Sequence, residues 1–505
     1  MGSSYSKPLP NYDDKLVQEK RRTMRHIIPA DCSTTLAEDN EAPPPYSAPE
    51  RTVRLSLSDM KSWEDALVRD PKNRLAITTL ATAPFPQTLQ RQSALRSDTQ
   101  IFNIKIPLEG NPITDQRSSG RCWLFAATNV FRIALMKRYN TPSFELSQAY
   151  LFYWDKIEKA NYFLEQIVAT AKLDLSSRLV QTLLSDPVTD GGQWDMIANV
   201  VKKYGLVPHA LYPDPYNAQK SGKMDWLVTA KLREQALELR RLARSGSADE
   251  RAQLAAAKEK FLKEIHGIIT IMLGPPPAPA ETFTWEYYDQ SGKARRVEET
   301  PVGFAGKAFA QVARASNGVD PTGMLSLVND PRNEYGRLMT VDRLGNVVEG
   351  QPITYVNVDM KTIKSAAIAM LRAGQPVFFG CDVGKFSDSP SGVMDTELLD
   401  LTLAFNIKLG MNKAQRVSSG ESAMTHAMVL TAVHVENDQP VRWRVQNSWG
   451  KDVGEGGWFV MTDRWMDEYT YQAVVDPRFV SSEVRDILKQ EPKVLPRWDP
   501  MGVLA

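Results

Sequence analysis

Apolar residues follow two different spacings along the chain. From Trp123 to Met136, apolar side chains occupy nearly every side of a helix, which predicts a buried central helix. Between residues 144 and 188 they recur every three or four positions, as in helices packed on one face. Val441, Trp443 and Val445 instead alternate with polar residues, which is the period of a strand. These spacings predict an α+β protein with a helical half and a strand-rich half.

Other segments complete this outline. Residues 58–70 are predicted to form a helix that leads toward the central one. Short apolar runs rich in β-forming residues predict the strands of the second half. These runs are Tyr355–Val358, Val377–Asp382, Ala427–Val435, Val441–Gln446 and Gly457–Met461.

A helical insertion is predicted around residues 225–273. Ser247 and Glu250 have the spacing of a capping box, which predicts the start of its second helix. Gly274 and the prolines after it end that helix. The first helix carries an apolar stripe, which needs a surface to cover it, either in its own domain or in another subunit. The stripe consists of Leu232, Ala236, Leu239 and Ala243.

Composition limits the class of protein. The 505 residues are 42% hydrophobic, which is enough for one large domain with insertions or for two or three smaller ones. Lys and Arg number 61 against 60 Asp and Glu, so total charge gives no electrostatic case for nucleic acid. Three cysteines are too few for a disulfide framework and favour a reducing compartment. No apolar run would cross a bilayer or form a signal-peptide core, so we expect a soluble protein.

Residues 1–52 are predicted to be a disordered tail, because they mix charges with Ser, Thr and Pro and have little to bury. Gly2 begins a pattern that fits N-myristoylation, and the basic residues between Lys15 and Arg25 would supply an electrostatic second anchor. An ordinary solvated start is the alternative. Residues Pro43–Tyr46 fit a polyproline ligand of WW domains, with a plain linker as the alternative.

A thiol stands at the start of the central helix. Cys122 directly precedes the apolar run, so the helix dipole and its unpaired N–H groups would bias this thiol toward thiolate. Gln116 lies six positions earlier, close enough for its amide to join the Cys122 N–H in stabilising an oxyanion. Taken alone, a cysteine in an apolar run is more often buried filler.

Polar residues later in the chain favour a catalytic cysteine over a buried structural one. His426 begins one strand-like segment, and Asn447 follows another. A cysteine with a distant His and Asn is the arrangement of thiol peptidases, in which His pairs with the thiolate and Asn orients the imidazole. The remaining candidates indicate no chemistry: His209, His266 and His26 lack metal-ligand spacing, so we expect no metal site. His434 is expected to be a solvated or core histidine, and Cys381 a buried strand residue.

Several motifs in this order resemble the papain superfamily of cysteine peptidases, and within it the bleomycin hydrolase family of aminopeptidases. The resemblance runs from about residue 58 to residue 505. One departure concerns Ser119, because the secreted papain-like enzymes carry a cysteine three residues before the nucleophile. Their structural disulfide therefore cannot form here. The motifs are Gln116 to Ala127, Phe144 to Tyr150, Asp190 to Gln193, Glu421 to Met428, Asn447 to Gly450 and Trp498 to Gly502.

The resemblance implies a papain-like, two-lobed fold over residues 53–490. Cys122 would lie on the helical lobe and the His and Asn on the other, with the substrate cleft between them. The implied activity is hydrolysis of N-terminal amide bonds of peptides and related amides, without a cofactor. Gly191 and Gly192 would line the cleft, although a simple turn would need those glycines too. Trp449 would shield the His–Asn hydrogen bond from water, although it could equally be core.

Residues 491–505 are too rich in proline for a helix or a central strand, which predicts an extended arm. The resemblance implies that this C-terminal arm lies in the cleft and that the Ala505 carboxylate binds the α-amino group of the substrate. The alternative is a loose tail.

The resemblance also implies an assembly and a location. The family is associated with a ring of six subunits held by helical insertions, so we expect a homohexamer. A cytoplasmic location is expected, with a membrane-associated fraction if Gly2 is lipidated, and a mitochondrial location is less favoured. The alternative class of function is a binding or regulatory protein, because relatives have been associated with weak nucleic-acid binding.

The tail yields a prediction of its own. Protein from its native host should carry a myristoyl group on Gly2 in an intact-mass measurement, since the start of the chain fits that modification. Its association with membranes should weaken as salt rises, because salt screens the basic cluster. An unmodified Gly2 would contradict this prediction and leave the peptidase interpretation untouched.

Overall fold

The computed structural model of the chain describes residues 55–314 and 323–504. The predictions for the tail of residues 1–52, for Gly2, for Pro43–Tyr46 and for Ala505 fall outside the described residues. None of the helices within those ranges is long and apolar enough to span a membrane.

Most of the α-helices lie before residue 315, and the last five lie after residue 322. They are α1 (Leu57–Arg69), α2 (Pro71–Leu80), α3 (Phe85–Thr88), α4 (Gln92–Ser97), α5 (Cys122–Tyr139), α6 (Gln148–Ala169), α7 (Arg178–Ser185), α8 (Trp194–Tyr204), α9 (Tyr216–Gln219), α10 (Gly222–Leu242), α11 (Glu250–Leu273), α12 (Pro301–Arg314), α13 (Met360–Arg372), α14 (Leu401–Phe405), α15 (Lys413–Ser419), α16 (Asp463–Tyr469) and α17 (Ser482–Asp486).

Most of the strands lie after residue 322, and the first three lie before residue 315. They are β1 (Ile104–Lys105), β2 (Phe283–Tyr288), β3 (Ala294–Glu299), β4 (Leu325–Val328), β5 (Arg337–Val341), β6 (Tyr355–Asn357), β7 (Val377–Cys381), β8 (Ser387–Asp388), β9 (Val393–Met394), β10 (His426–Glu436), β11 (Gln439–Gln446), β12 (Trp458–Thr462), β13 (Thr470–Val475) and β14 (Lys493–Leu495). The strands expected in the second half are all present, and each end lies within two residues of its predicted position.

Helix α5 is the buried central helix that the apolar run predicts. Every residue from Cys122 to Ile133 is buried, which an apolar surface on all sides requires. The helix ends where Asn140 adopts a left-handed conformation, with φ of 48°, and donates its N–H to the Met136 carbonyl. It packs against α6 and α8 on one side and against β7 and β10 on the other. The helix thus lies between the helical lobe and the sheet lobe.

The sheet lobe is built on a 12-stranded sheet with β7, β10 and β11 as consecutive neighbours. β10 and β11 are antiparallel, with Val429 opposite Gln446, so the start of β10 lies near the end of β11. That register brings His426, the first residue of β10, close to the residue after β11. On the other side of β10, Cys381 lies opposite His426 and is buried with a free thiol, as expected of a strand residue.

The insertion forms a helical hairpin of α10 and α11. Leu232, Ala236 and Leu239 of its apolar stripe are fully buried, and the hairpin packs on α6. The stripe is therefore covered within its own domain. The predicted capping box is wrong: α11 begins after Asp249, and the Ser247 hydroxyl accepts the Asp249 N–H at 3.2 Å instead. Ser247 lies two residues before the N-cap position and is too early to close the box.

A glycine at the end of α8 is required by close packing and yields a stability prediction. Gly205 has φ of +80°, and an added Cβ would lie 2.1 Å from the Pro301 carbonyl. Gly246 also has positive φ, +62°, but an added Cβ there meets nothing within 4 Å. Because only the first substitution adds a clash, Gly205→Ala should lower the free energy of unfolding by about 2 kcal/mol more than Gly246→Ala. Urea unfolding midpoints test this, and equal midpoints would contradict it.

Candidate active site

Cys122 and His426 begin two elements that pack on each other, helix α5 and strand β10. Cys122 is the first residue of α5 and is 2% exposed, and His426 is 4% exposed. The backbone N–H of Ala427, the residue after His426, is hydrogen bonded to the Cys122 sulfur. The N–H groups of Cys122 and Trp123 also point at this sulfur. The start of the helix thus presents the thiol to the first residues of the strand.

His426 is oriented by Asn447. The imidazole Nε2 lies 2.9 Å from Asn447 Oδ1. Since an amide oxygen only accepts, Nε2 carries the hydrogen, and Nδ1 is the nitrogen left for a thiol. Asn447 Oδ1 also accepts the Ser448 N–H at 2.8 Å, which fixes the amide. The Trp449 ring lies 4.8 Å from the imidazole and covers this pair, and its far side packs on Phe459.

Burial governs the charges of the thiol and the imidazole. Burial raises the pKa of Cys122 to about 11, although the N–H groups of Ala427, Trp123 and Cys122 itself act to lower it. Burial also lowers the pKa of His426 to about 4, against the hydrogen bond to Asn447. The helix start therefore acts in the direction expected from the sequence, but burial outweighs it. Transfer of a proton from Cys122 to His426 creates both charges together, and each then stabilises the other.

Gln116 is built into the loop that leads to Cys122. Its side chain is buried, and its Nε2 donates to the Ser119 carbonyl at 2.7 Å. Its Oε1 accepts from the Ser448 hydroxyl at 2.7 Å, and its backbone N–H donates to the Ser448 carbonyl at 2.8 Å. The amide group has two hydrogens, and the bond to Ser119 uses one of them. Gln116 thus links the Cys122 loop to the segment that carries Asn447.

Gly191 and Gly192 lie beside Trp123, the residue after Cys122, and are called the glycine wall below. An added Cβ on Gly192 would lie 2.4 Å from the Trp123 ring, so this ring packs directly on the glycine backbone. The Gly191 carbonyl accepts from Lys159 Nζ at 2.6 Å. Trp123 Nε1 donates to the Asp190 carbonyl at 2.7 Å. Gly192 therefore packs against the residue that follows Cys122, and this close packing requires glycine there. That the two glycines line the substrate cleft stays a prediction.

The C-terminal arm reaches the same wall. Strand β14 pairs in parallel with β5 at the edge of the sheet. Asp499 then bonds Arg332 in two places, at 2.8 and 3.3 Å. The Val503 carbonyl accepts from Gln193 Nε2 at 3.1 Å, one residue beyond Gly192. The arm is therefore not extended throughout: after the edge strand, a 3-10 turn at Pro500–Gly502 precedes Val503 and its contact beside the glycine wall.

Charged residues behind this wall are the part of the site that sequence reasoning missed. Lys156 and Lys159 lie on α6 and are buried, and Asp190 directly precedes the glycine pair. Two lysines among the many apolar residues of this helix are the sequence signal that could have indicated them, because a buried lysine needs partners. Within the described ranges, no group of three or more His, Cys, Asp or Glu side chains is arranged to hold a metal ion.

Comparison with known proteins identifies the family to which this chain belongs. The model of the Peptidase C1-like family matches residues 54–502. The chain belongs to the Peptidase C1-like family. It is accordingly a cysteine-type peptidase, a hydrolase, and the papain-like α+β fold predicted from the sequence is confirmed.

Individual members of the Peptidase C1-like family are similar over most of the chain. "Cysteine proteinase 1, mitochondrial" of Saccharomyces cerevisiae is 44% identical, covering 89% of this chain and 93% of the relative. Bleomycin hydrolase of Homo sapiens is 41% identical, covering 86% of this chain and 95% of the relative. The crystal structure of PepW from Lactobacillus rhamnosis superposes with a TM-score of 0.84 at 37% identity, covering 90% of this chain and 100% of that one. The predicted resemblance to bleomycin hydrolase is confirmed.

The hydrogen bond from His426 to Asn447 yields a pH prediction for this peptidase. It is the interaction that opposes burial and favours the charged imidazole, so Asn447→Ala should lower the pKa of His426 further. NMR titration of the imidazole in a Cys122→Ala background measures this without a titrating thiol. The control is His434→Gln, since His434 pairs with Glu436 at 2.8 Å on the far part of β10. A His426 pKa that rises in Asn447→Ala would refute this account.

Proposed function

We propose that the protein is a cysteine aminopeptidase that hydrolyses N-terminal amide bonds of peptides and related amides through Cys122, His426 and Asn447. The observation that carries the catalytic part is the His426–Asn447 hydrogen bond beside the thiol at the start of α5. The observation that carries the aminopeptidase part is the contact of the C-terminal arm with Gln193.

The proposed reaction begins with a proton transfer. Cys122 gives its proton to His426 Nδ1, and its sulfur attacks the scissile carbonyl carbon. The resulting oxyanion accepts hydrogen bonds from the Cys122 N–H and the Gln116 amide. His426 then protonates the leaving amine, which departs and leaves an acyl-enzyme. Finally His426 activates a water molecule that releases the acyl group, while Asn447 keeps the imidazole aligned.

The C-terminal arm supplies the proposed selectivity for a free amino terminus. Val503 is held at the glycine wall, where an extended substrate would also run. In the proposal the Ala505 carboxylate binds the substrate's α-amino group, since such a charge-assisted pair is strong in a partly dry cleft. An arm in this position also excludes longer chains on that side. The reaction would then remove residues one or a few at a time from the amino terminus.

Several further features stay predictions. We propose a homohexamer and a mainly cytoplasmic location; the yeast relative, in contrast, is named as mitochondrial. Nucleic-acid binding, contact of Pro43–Tyr46 with a WW domain and membrane contact through Gly2 also remain to be measured. Sedimentation, DNA affinity against salt, and fractionation of cells address these in turn.

Replacing the nucleophile tests the catalytic part. Cys122→Ala should abolish hydrolysis of an N-terminal peptide amide while leaving the fold intact, because alanine is well tolerated at a helix start. Hydrolysis should be measured on one peptide with a free and with a blocked amino terminus, together with circular dichroism. The control Cys381→Ala should retain activity, since that thiol is not placed in the reaction. A peptidase that survives loss of Cys122 would remove the assignment.

Shortening the arm tests the aminopeptidase part. Deletion of residues 503–505 should reduce the preference for free over blocked amino termini and allow cleavage inside longer peptides, because the contact with Gln193 and the terminal carboxylate are both lost. The ratio of kcat/KM for the two substrates measures this preference. Val494→Ala is the control, because Val494 lies on the same arm but is half exposed at the sheet edge. If the deletion keeps the ratio of the full chain, selectivity has another source.

A further inference from the structure

The loop of residues 116–121, which contains Gln116 and leads into Cys122, is bonded to the segment just before the helical insertion. The Ser118 N–H donates to the Gln219 carbonyl at 2.9 Å. Arg121, whose side chain is fully buried, pairs with Asp214 through both oxygens, at 3.0 and 2.7 Å. A buried bidentate pair of this kind fixes both partners. The loop is therefore attached through Ser118 and Arg121 to residues 214–219.

Asp190 adds a third attachment. Its Oδ2 accepts the Gly120 N–H at 2.9 Å and the Ser221 hydroxyl at 2.5 Å. Ser221 is the residue before α10. An added Cβ on Gly120 would lie 2.8 Å from the Asp190 Cβ, so this approach of loop and carboxylate requires glycine. The Asp190 carboxylate thus joins the loop before Cys122 to Ser221, the residue just before the helical insertion.

Lys156 holds the Asp190 carboxylate from behind. Its fully buried ammonium lies 2.7 Å from Asp190 Oδ1 and 2.6 Å from Asp225 Oδ1. Asp225 is in the first turn of α10. Burial raises the pKa of Asp225, and the neighbouring Asp190 adds to this effect, so Asp225 tends to keep a proton that it shares with Asp190. One ammonium and one proton then balance two carboxylates in the interior.

We propose that the start of the helical insertion positions the oxyanion-binding loop, with Asp190 as the positioning residue and with Lys156, Ser221 and Asp225 holding it in place. The inference rests on the proposed roles of Cys122 and Gln116. Fixing the Gly120 N–H fixes the turn between these two residues, and therefore the convergence of the Gln116 amide with the Cys122 N–H. Bonds to an oxyanion exist only in the transition state, so disturbing the turn lowers kcat and leaves KM nearly unchanged.

Alkylation of the thiol separates positioning from general support of the fold. When iodoacetamide reacts with Cys122, a sulfur–carbon bond forms, the carbon–iodine bond breaks and iodide leaves. No oxyanion develops, so this reaction depends on the thiol and His426 but not on Gln116. Loss of oxyanion geometry should slow hydrolysis alone, whereas general damage to the site should slow both reactions. Mass spectrometry of the peptide that contains Cys122 distinguishes it from the other cysteines.

The experiment compares the variants Asp190→Ala, Asp225→Asn and Ser221→Ala with the wild-type chain. Asp190→Ala should lower kcat by about 10- to 100-fold with KM within about twofold, as for a misplaced oxyanion donor. Asp225→Asn and Ser221→Ala should lower kcat in the same way by about threefold or more, since each removes one support of the carboxylate. Alkylation of Cys122 should stay within about threefold of wild type in all of them. Glu234→Gln is the matched control on α10, because Glu234 is 71% exposed in its pair with Lys231.

Opposite outcomes overturn the proposal. A folded Asp190→Ala variant with wild-type kcat would do so, as would a fall in alkylation parallel to the fall in kcat. If Asp190→Ala does not fold, the two milder variants decide, and wild-type kcat in both refutes the inference. Hydrolysis by Cys122→Ala would instead refute the proposed function. An inactive Cys122→Ala with fully active Asp190, Asp225 and Ser221 variants would refute only the positioning.

Discussion

In the proposed mechanism, charge on the buried thiol and imidazole is created in pairs, and much of the surrounding structure follows from that constraint. The thiol of Cys122 and the imidazole of His426 are both buried, and burial opposes the charged form of each. A thiolate beside an imidazolium is a neutral pair, which costs far less in a dry site than either ion alone. In the proposal, the N–H groups at the start of α5 and the oxygen of Asn447 stabilise the two members of this pair from opposite lobes. The lobes must therefore stay in register.

The need to balance buried charges also applies to Lys156 and its two acidic partners, Asp190 and Asp225. Lys156 is fully buried beside the carboxyl groups of Asp190 and Asp225, and burial raises the pKa of Asp225. One ammonium and one retained proton therefore bring this interior group close to balance. Such a group is costly to break, because removing one partner leaves an uncompensated ion in the interior. Secreted papain-like enzymes carry a cysteine at the position of Ser119, and this chain lacks that disulfide. Here Ser119 accepts from Arg121 at 2.9 Å, and the turn around it is held by ionic and hydrogen-bonded contacts that persist in a reducing compartment.

Local periodicity made the framework predictable. The apolar run after Cys122 defines a buried helix, and the two-residue period before Asn447 defines a strand, so both lobes and the ends that carry polar residues follow from short windows of sequence. The group of Lys156, Asp190 and Asp225 spans distant segments and has no period, so only the fold brings it together. The thiolate bias expected for Cys122 considered the helix dipole alone, and burial, which outweighs it, is a property of the packed structure. The cap at Ser247 failed for a smaller reason, a helix start displaced by two residues.

The parallel pairing of β14 with β5 has a consequence for how substrates compete with the arm. Because the arm is anchored a few residues before Val503, its end is confined near the glycine wall and has an effective concentration on the order of millimolar, whatever the concentration of the protein. A single hydrogen bond to Gln193 and a partly buried Leu504 can then keep the arm in place, although the same contacts made by a free tripeptide would be too weak to matter. In the proposed arrangement the anchoring therefore sets how strongly the arm competes with substrates. Moving the anchor would change that competition without altering any residue that meets the substrate.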